Sequence, residues 1–232
     1  ATPTTLYLQA GGQLSDGKPA GDNSFSAYTS DPAKPVPYDE DVHFTRSRKY
    51  MTNDQRFAAN RPDVLVFETG ILENDITVAG PVLADLRASI STTDADFVVK
   101  VIDVFPNDQG HNTINIYANE DAVLPHPMGG YQMLVRGEIF RGRYRNSLES
   151  PVPFTPGKIE TVKYELPDIA HTFKKGHRIM VQVQSSWFPL VDRNPQQFVD
   201  IYHCEDKDFI KSDIKIFHSK ENASSITLPV IR

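Results

Sequence analysis

A run of alternating residues ends in a motif that stops the alternation, and no other feature constrains this chain as much. Ile179, Val181 and Val183 alternate with Arg178, Met180, Gln182 and Gln184, the period of two that turns one face of a strand inward. The alternation lapses at Ser185-Ser186, and Trp187-Phe188-Pro189 follows. The proline removes a ladder donor and limits regular pairing there. Asp192-Arg193-Asn194-Pro195 then sets opposite charges, an amide and a second proline in four residues, which predicts a constrained loop. Ser185, Ser186, Trp187, Phe188, Asp192, Arg193 and Asn194 are therefore expected to form a structural loop, with Trp187 on the inward parity of Val183 closing one end of the core.

The same period recurs along the chain. Leu6 and Leu8 open it; Val82 to Ile90, Met133 to Ile139, Val162 to Leu166, Ile214 with Ile216, and Ile226 to Val230 each alternate. Phe97 to Phe105 is apolar on both parities except at Lys100 and Asp103, predicting a central strand covered on both sides. Seventeen prolines and thirteen glycines suit many turns between short strands. One helical stretch stands out, with Asp168 as N-cap, Lys174 and Lys175 in the last turn, and Gly176 as the left-handed cap. The expected fold is all-β: one antiparallel β-sandwich domain over residues 1–232 with one short helix. From Pro32 to Arg61 strand periodicity dissolves, yet Tyr38, His43, Phe44, Tyr50, Met51 and Phe57 carry too much apolar surface for a solvated tail.

Several function classes are disfavoured. A net charge of -6 argues against a nucleic-acid partner, and no stretch reaches the roughly 18 apolar residues of a membrane span. The single Cys204 cannot form an internal disulfide. Seven histidines include no His-x-x-x-His pair, so they are expected to be structural, including His111, His126, His171 and His177. Asp94 and Asp96 could offer oxygens to calcium, but a full ligand loop is missing. The expectation is no metal and no cofactor. No Gly-x-Ser-x-Gly elbow occurs either; Gln13-Leu14-Ser15-Asp16-Gly17 lacks the first glycine. Asn222-Ala223-Ser224 is a sequon in form only.

Ser-Ser-x-Phe-Pro with Arg193-Asn194, together with Ser30 to Pro37, Arg61-Pro62-Asp63-Val64-Leu65, Asp96 to Val104, Phe140 to Arg145 and Lys175-Gly176-His177-Arg178-Ile179, resembles the C-terminal domain of Xaa-Pro dipeptidyl-peptidase-like serine hydrolases. This is the CocE/NonD group of cocaine esterases, α-amino-acid ester hydrolases and glutaryl-cephalosporin acylases. Met128 to Gln132 and Phe140 to Arg145 look nearest to the last two. The resemblance implies a jelly roll (galactose-binding-like) that buttresses an α/β-hydrolase domain on the same polypeptide, upstream of Ala1, which holds the whole Ser-Asp-His triad. On that reading the chain alone is inactive, the parent hydrolyses α-amino-acid esters, β-lactam acyl amides or Xaa-Pro peptides, and a periplasmic or secreted location is favoured slightly. Tyr38, His43, Tyr50 and Met51 are the expected pocket wall, and a homo-oligomer is compatible. The rival readings are a free-standing carbohydrate-binding module, against which the single tryptophan counts, and an assembly module.

Overall fold

The computed structural model describes residues 1–46, 49–110, 112–113 and 125–231. The described strands are β1 (Thr2–Gln9), β2 (Gln13–Ser15), β3 (Phe25–Ser30), β4 (Leu65–Glu68), β5 (Ile76–Ile90), β6 (Asp96–Val104), β7 (Asn112–Thr113), β8 (Pro125–His126), β9 (Gln132–Arg141), β10 (Glu160–Phe173), β11 (Arg178–Gln184), β12 (Ser212–Phe217) and β13 (Ser225–Ile231). The chain is all-β, as the alternating runs predict. Eleven strands hydrogen-bond in the order β3-β12-β5-β13-β1-β2-β4-β11-β6-β9, with β10 on the other edge of β5. One parallel bridge, Gln13 to Glu68, joins the two halves, and there the sheet doubles over into a sandwich. At the far edge Phe140 of β9 stacks on Tyr164 of β10 at 5.1 Å.

The core between the layers is built by the parities read from sequence. Val82, Ala84 and Leu86 of β5, Val162 and Leu166 of β10, and Ile226 and Leu228 of β13 meet Phe97, Val99 and Val101 of β6 and Ile179, Val181 and Val183 of β11. Each valine, leucine, isoleucine or phenylalanine among them contributes about 1.5–3 kcal/mol on burial. Every residue of β6 is buried, so it is a central strand covered on both sides.

The helix expected from Asp168 to Lys175 is not there. Asp168 to Phe173 continues β10 against β5, with Ile169 opposite Gly80 and Phe173 opposite Ile76. Pro167 and Asp168 face Pro81 alone, a bulge that re-aims the strand rather than ending it. Ile169 and Phe173 are buried, and pairing along the edge of β5 outweighs the local capping signals. Gly176 does take positive φ, at 88°, but in the turn between strands. A single turn of α-helix, α1 (Arg56–Ala59), lies instead inside the Pro32–Arg61 excursion.

Candidate functional site

The excursion covers the outer face of β11, β6 and β9, the face turned away from the sandwich core. Val98, Ile102 and Val104 of β6, Leu134 of β9 and Met180 of β11 project there and cluster with Tyr38 and Trp187. Trp187 is 5% exposed. It therefore closes this second cluster and not the end of the main core, because the chain leaves strand geometry at Ser185 and the parity with Val183 does not carry past it.

The Ser185–Asn194 loop anchors the excursion where it begins. The Ser185 hydroxyl meets the Tyr28 hydroxyl at 2.7 Å, and burial pushes the Tyr28 phenol up. The amide of Val36 donates to Ser186 Oγ at 2.8 Å. Phe188 N–H donates to Val36 O and Tyr38 N–H to Phe188 O, at 3.0 and 2.9 Å, and the Phe188–Pro189 peptide is cis. Arg193 donates to Pro32 O at 3.0 Å with its guanidinium 4.7 Å from the Phe209 ring. At the other limb, Gln55 N–H donates to Gln132 O at 2.8 Å, and Asp54 bridges Met133. Main-chain hydrogen bonds thus hold both limbs, and at the first limb the Ser186 hydroxyl and the Arg193 guanidinium add side-chain ties.

Beneath the excursion lies a polar interior. Lys100 is fully buried and donates to Gln55 Oε1 at 2.9 Å, with its ammonium 5.3 Å from the Trp187 ring. Burial alone pushes that ammonium from 10.5 down to about 7. Gln182, opposite Lys100 in the ladder, donates to Gln55 O at 3.4 Å. Gly137 makes this possible, since a Cβ there would lie 2.8 Å from the Trp187 ring.

The proposed wall residues occupy two ranks. Tyr38 is buried, Tyr50 half-buried, and their rings meet edge-on at 5.4 Å, with Tyr50 also edge-on to Trp187 at 6.0 Å. His43 and Met51 face outward, together with Val42 and Phe44, whose exposures reach 101% and 111%. Asp192 and Asn194 belong elsewhere: Asp192 takes Arg141 at 3.1 Å, and Asn194 donates to Asp94 and Asp96 at 3.1 and 2.8 Å. Arg141 and Arg143 hold those same two carboxylates at 3.1 and 2.7 Å. Of the oxygens considered for calcium, both of Asp96 and Oδ2 of Asp94 are engaged by arginines, while Asp94 Oδ1 is buried without a hydrogen-bond partner. Burial nevertheless pushes Asp96 up, against the pull of Arg141.

Among the histidines, His171 and His177 share the buried Asp103 at 2.9 and 2.8 Å. His218 is bonded through its ring nitrogens by Ser24 and Ser26 at 2.8 and 3.0 Å, with no carboxylate behind it. No Ser-His-Asp relay exists among the described residues. His111, and the side chain of His126, lie outside them. Sequence reasoning missed Asp103 as the shared partner, and missed Asp39 and Asp41 beside His43; the Asp-x-Asp-x-His spacing was the available signal.

The architecture is thus a doubled-over β-sandwich capped on one outer face by an anchored aromatic excursion. Residues 1–227 match the family of X-Pro dipeptidyl-peptidase C-terminal non-catalytic domains, and the chain belongs to it. It is 32% identical over 213 residues to cocaine esterase from Rhodococcus sp. (strain MB1 Bresler), covering 92% of this chain and 33% of that protein. Among solved structures, an α-amino acid ester hydrolase is 44% identical with a TM-score of 0.88, covering 100% of this chain and 36% of that one. An aminopeptidase from the marine sediment archaeon Thaumarchaeota archaeon is 39% identical, also at 0.88, over 100% of this chain and 37% of that one. The chain thus spans about a third of the length of these relatives, and is the C-terminal domain type of CocE/NonD-like hydrolases.

Proposed function

We propose that this domain buttresses an α/β-hydrolase domain of the same polypeptide and that its excursion walls one side of that domain's acyl-group pocket. The observation that carries the reading is the exposure of Val42 and Phe44, at 101% and 111%, on a segment anchored at both limbs. Apolar side chains held out from a rigid scaffold mark a surface that another body covers. His43 and Met51 form the outer rank of the wall, and Tyr38 and Tyr50 stiffen it from behind. The kinship with a cocaine esterase, an α-amino acid ester hydrolase and an aminopeptidase supports ester or amide substrates of the α-amino-acid ester, β-lactam acyl or Xaa-Pro peptide type. The parent then works through an acyl-serine intermediate whose tetrahedral states are held by an oxyanion hole in the other domain. Exposed Phe44→Ala and Met51→Ala, made in the polypeptide carrying both domains, test this. Loss of roughly tenfold in kcat/KM for bulky acyl groups, with small acyl groups unaffected, is expected. Equal values for both classes of substrate place the excursion outside the pocket.

A further inference from the structure

We propose that Asp39, Asp41 and His43 form a binding site for a zinc-class divalent cation at the tip of the excursion. One donor atom from each of the three lies within 4.8 Å of the others. The second observation is Asp39 itself. Its side chain is 1% exposed, and its Oδ1 is engaged by Asn53 Nδ2 at 2.8 Å and by the Asp41 amide at 3.3 Å. Its Oδ2 is buried with no hydrogen-bond donor. His43 Nε2 stands 3.2 Å from that oxygen, yet the contact misses hydrogen-bond alignment. A buried carboxylate oxygen without a donor is costly, and a cation shared with the imidazole nitrogen removes the cost.

The donor set selects the ion. Calcium and magnesium take oxygen ligands almost throughout, whereas one imidazole nitrogen with two carboxylates suits zinc and its neighbours. Zinc holds such donors at about 2.0–2.2 Å in a tetrahedron, which asks for donor separations of roughly 3.3–3.6 Å. Asp41 and His43 are exposed, so rotation of their side chains closes the remaining gap, and water fills the other positions. Because Asp39 is tied to Asn53 on the opposite limb, the bound ion would pin the two limbs together behind Val42 and Phe44. The site needs no assumption about the acyl pocket, and its test uses no substrate.

The test is a competitive zinc titration of the chelator-stripped chain against a chromophoric chelator. One equivalent is expected to bind, with His43→Ala and Asp41→Asn each weakening it on the order of 100-fold, since even a residue that only supports a metal ligand is worth 10–100-fold. Asp41 is exposed, the His43 side chain is partly so, and neither belongs to a hydrophobic core cluster, so folding is retained. His203→Ala removes the exposed imidazole paired with Asp200 at 2.6 Å and should change nothing. Excess calcium should not displace the zinc. Absence of binding, binding that survives either of the two ligand variants, dependence on His203, or displacement by calcium would each overturn the assignment.

Discussion

The two faces of β6 and β11 differ in kind although the same strands build both. Toward the sandwich core stand Phe97, Val99, Val101, Ile179, Val181 and Val183, all apolar, with a buried carboxylate, Asp103, at the end of the row, held by His171 and His177. Toward the excursion stand Lys100, Gln182 and Gln184 beside Val98, Ile102 and Met180, and all of them are buried too. The core face is stabilised by apolar area, which is non-directional and tolerates any well-packed cover. The excursion face carries an ammonium and two amides, and buried polar groups demand particular partners. Gln182 Oε1, Gln184 Oε1 and Trp187 Nε1 remain without a hydrogen-bond partner. The first face makes the domain fold, and the second selects which segment lies on it.

The largest expected effect is on the core face. Phe97→Ala should lower unfolding stability by about 3–5 kcal/mol in a single transition. Trp187→Ala, on the other face, should cost about 3 kcal/mol and show itself differently, as new proteolytic cleavage within residues 32–61 while the sandwich stays folded. A loss of the whole sandwich in the tryptophan variant would erase the distinction between the faces.

Lys100 sharpens the contrast further. Its folded pKa of about 7 lies below the ordinary 10.5, so the unfolded chain binds more protons between those values. Stability contributed at this site therefore rises with pH from about 7 to 10.5 and is lowest below 7. Lys100→Met should flatten that limb of the stability–pH curve and add about 1–3 kcal/mol at pH 7. An unchanged slope in urea melts across that window would mean that the ammonium is solvated. A smaller effect, about 1–3 kcal/mol of destabilisation, is expected from Arg193→Ala, which removes the charged donor to Pro32 O at the base of the excursion. An unaltered denaturation midpoint would deny Arg193 that tying role.

Much of the core face was legible in sequence because a period of two in Val, Ile and Leu is the spacing of a pleated strand with one face inward. The burial of β6 on both sides was legible in the same way, from apolar residues on both parities. What covers its outer face was not, since the contact between Tyr50 and Trp187 spans a chain separation that no local pattern encodes. The Asp168–Gly176 stretch misled for the opposite reason: capping residues are local signals, and the unfilled edge of β5 is not. Tyr38, His43, Tyr50 and Met51 were grouped by their place in a non-periodic aromatic stretch and by the family resemblance, and burial separates them into two ranks that the sequence did not distinguish.

The central claim is that the excursion meets a catalytic domain. Amide hydrogen exchange of residues 39–46 tests it most directly, compared between this domain alone and the polypeptide carrying both domains. Exchange is expected to slow by about tenfold or more when the second domain is present, as a covered segment loses its local openings. Equal exchange in the two, with protection appearing instead around the apolar cleft of Leu6, Ile71 and Val230, would contradict it.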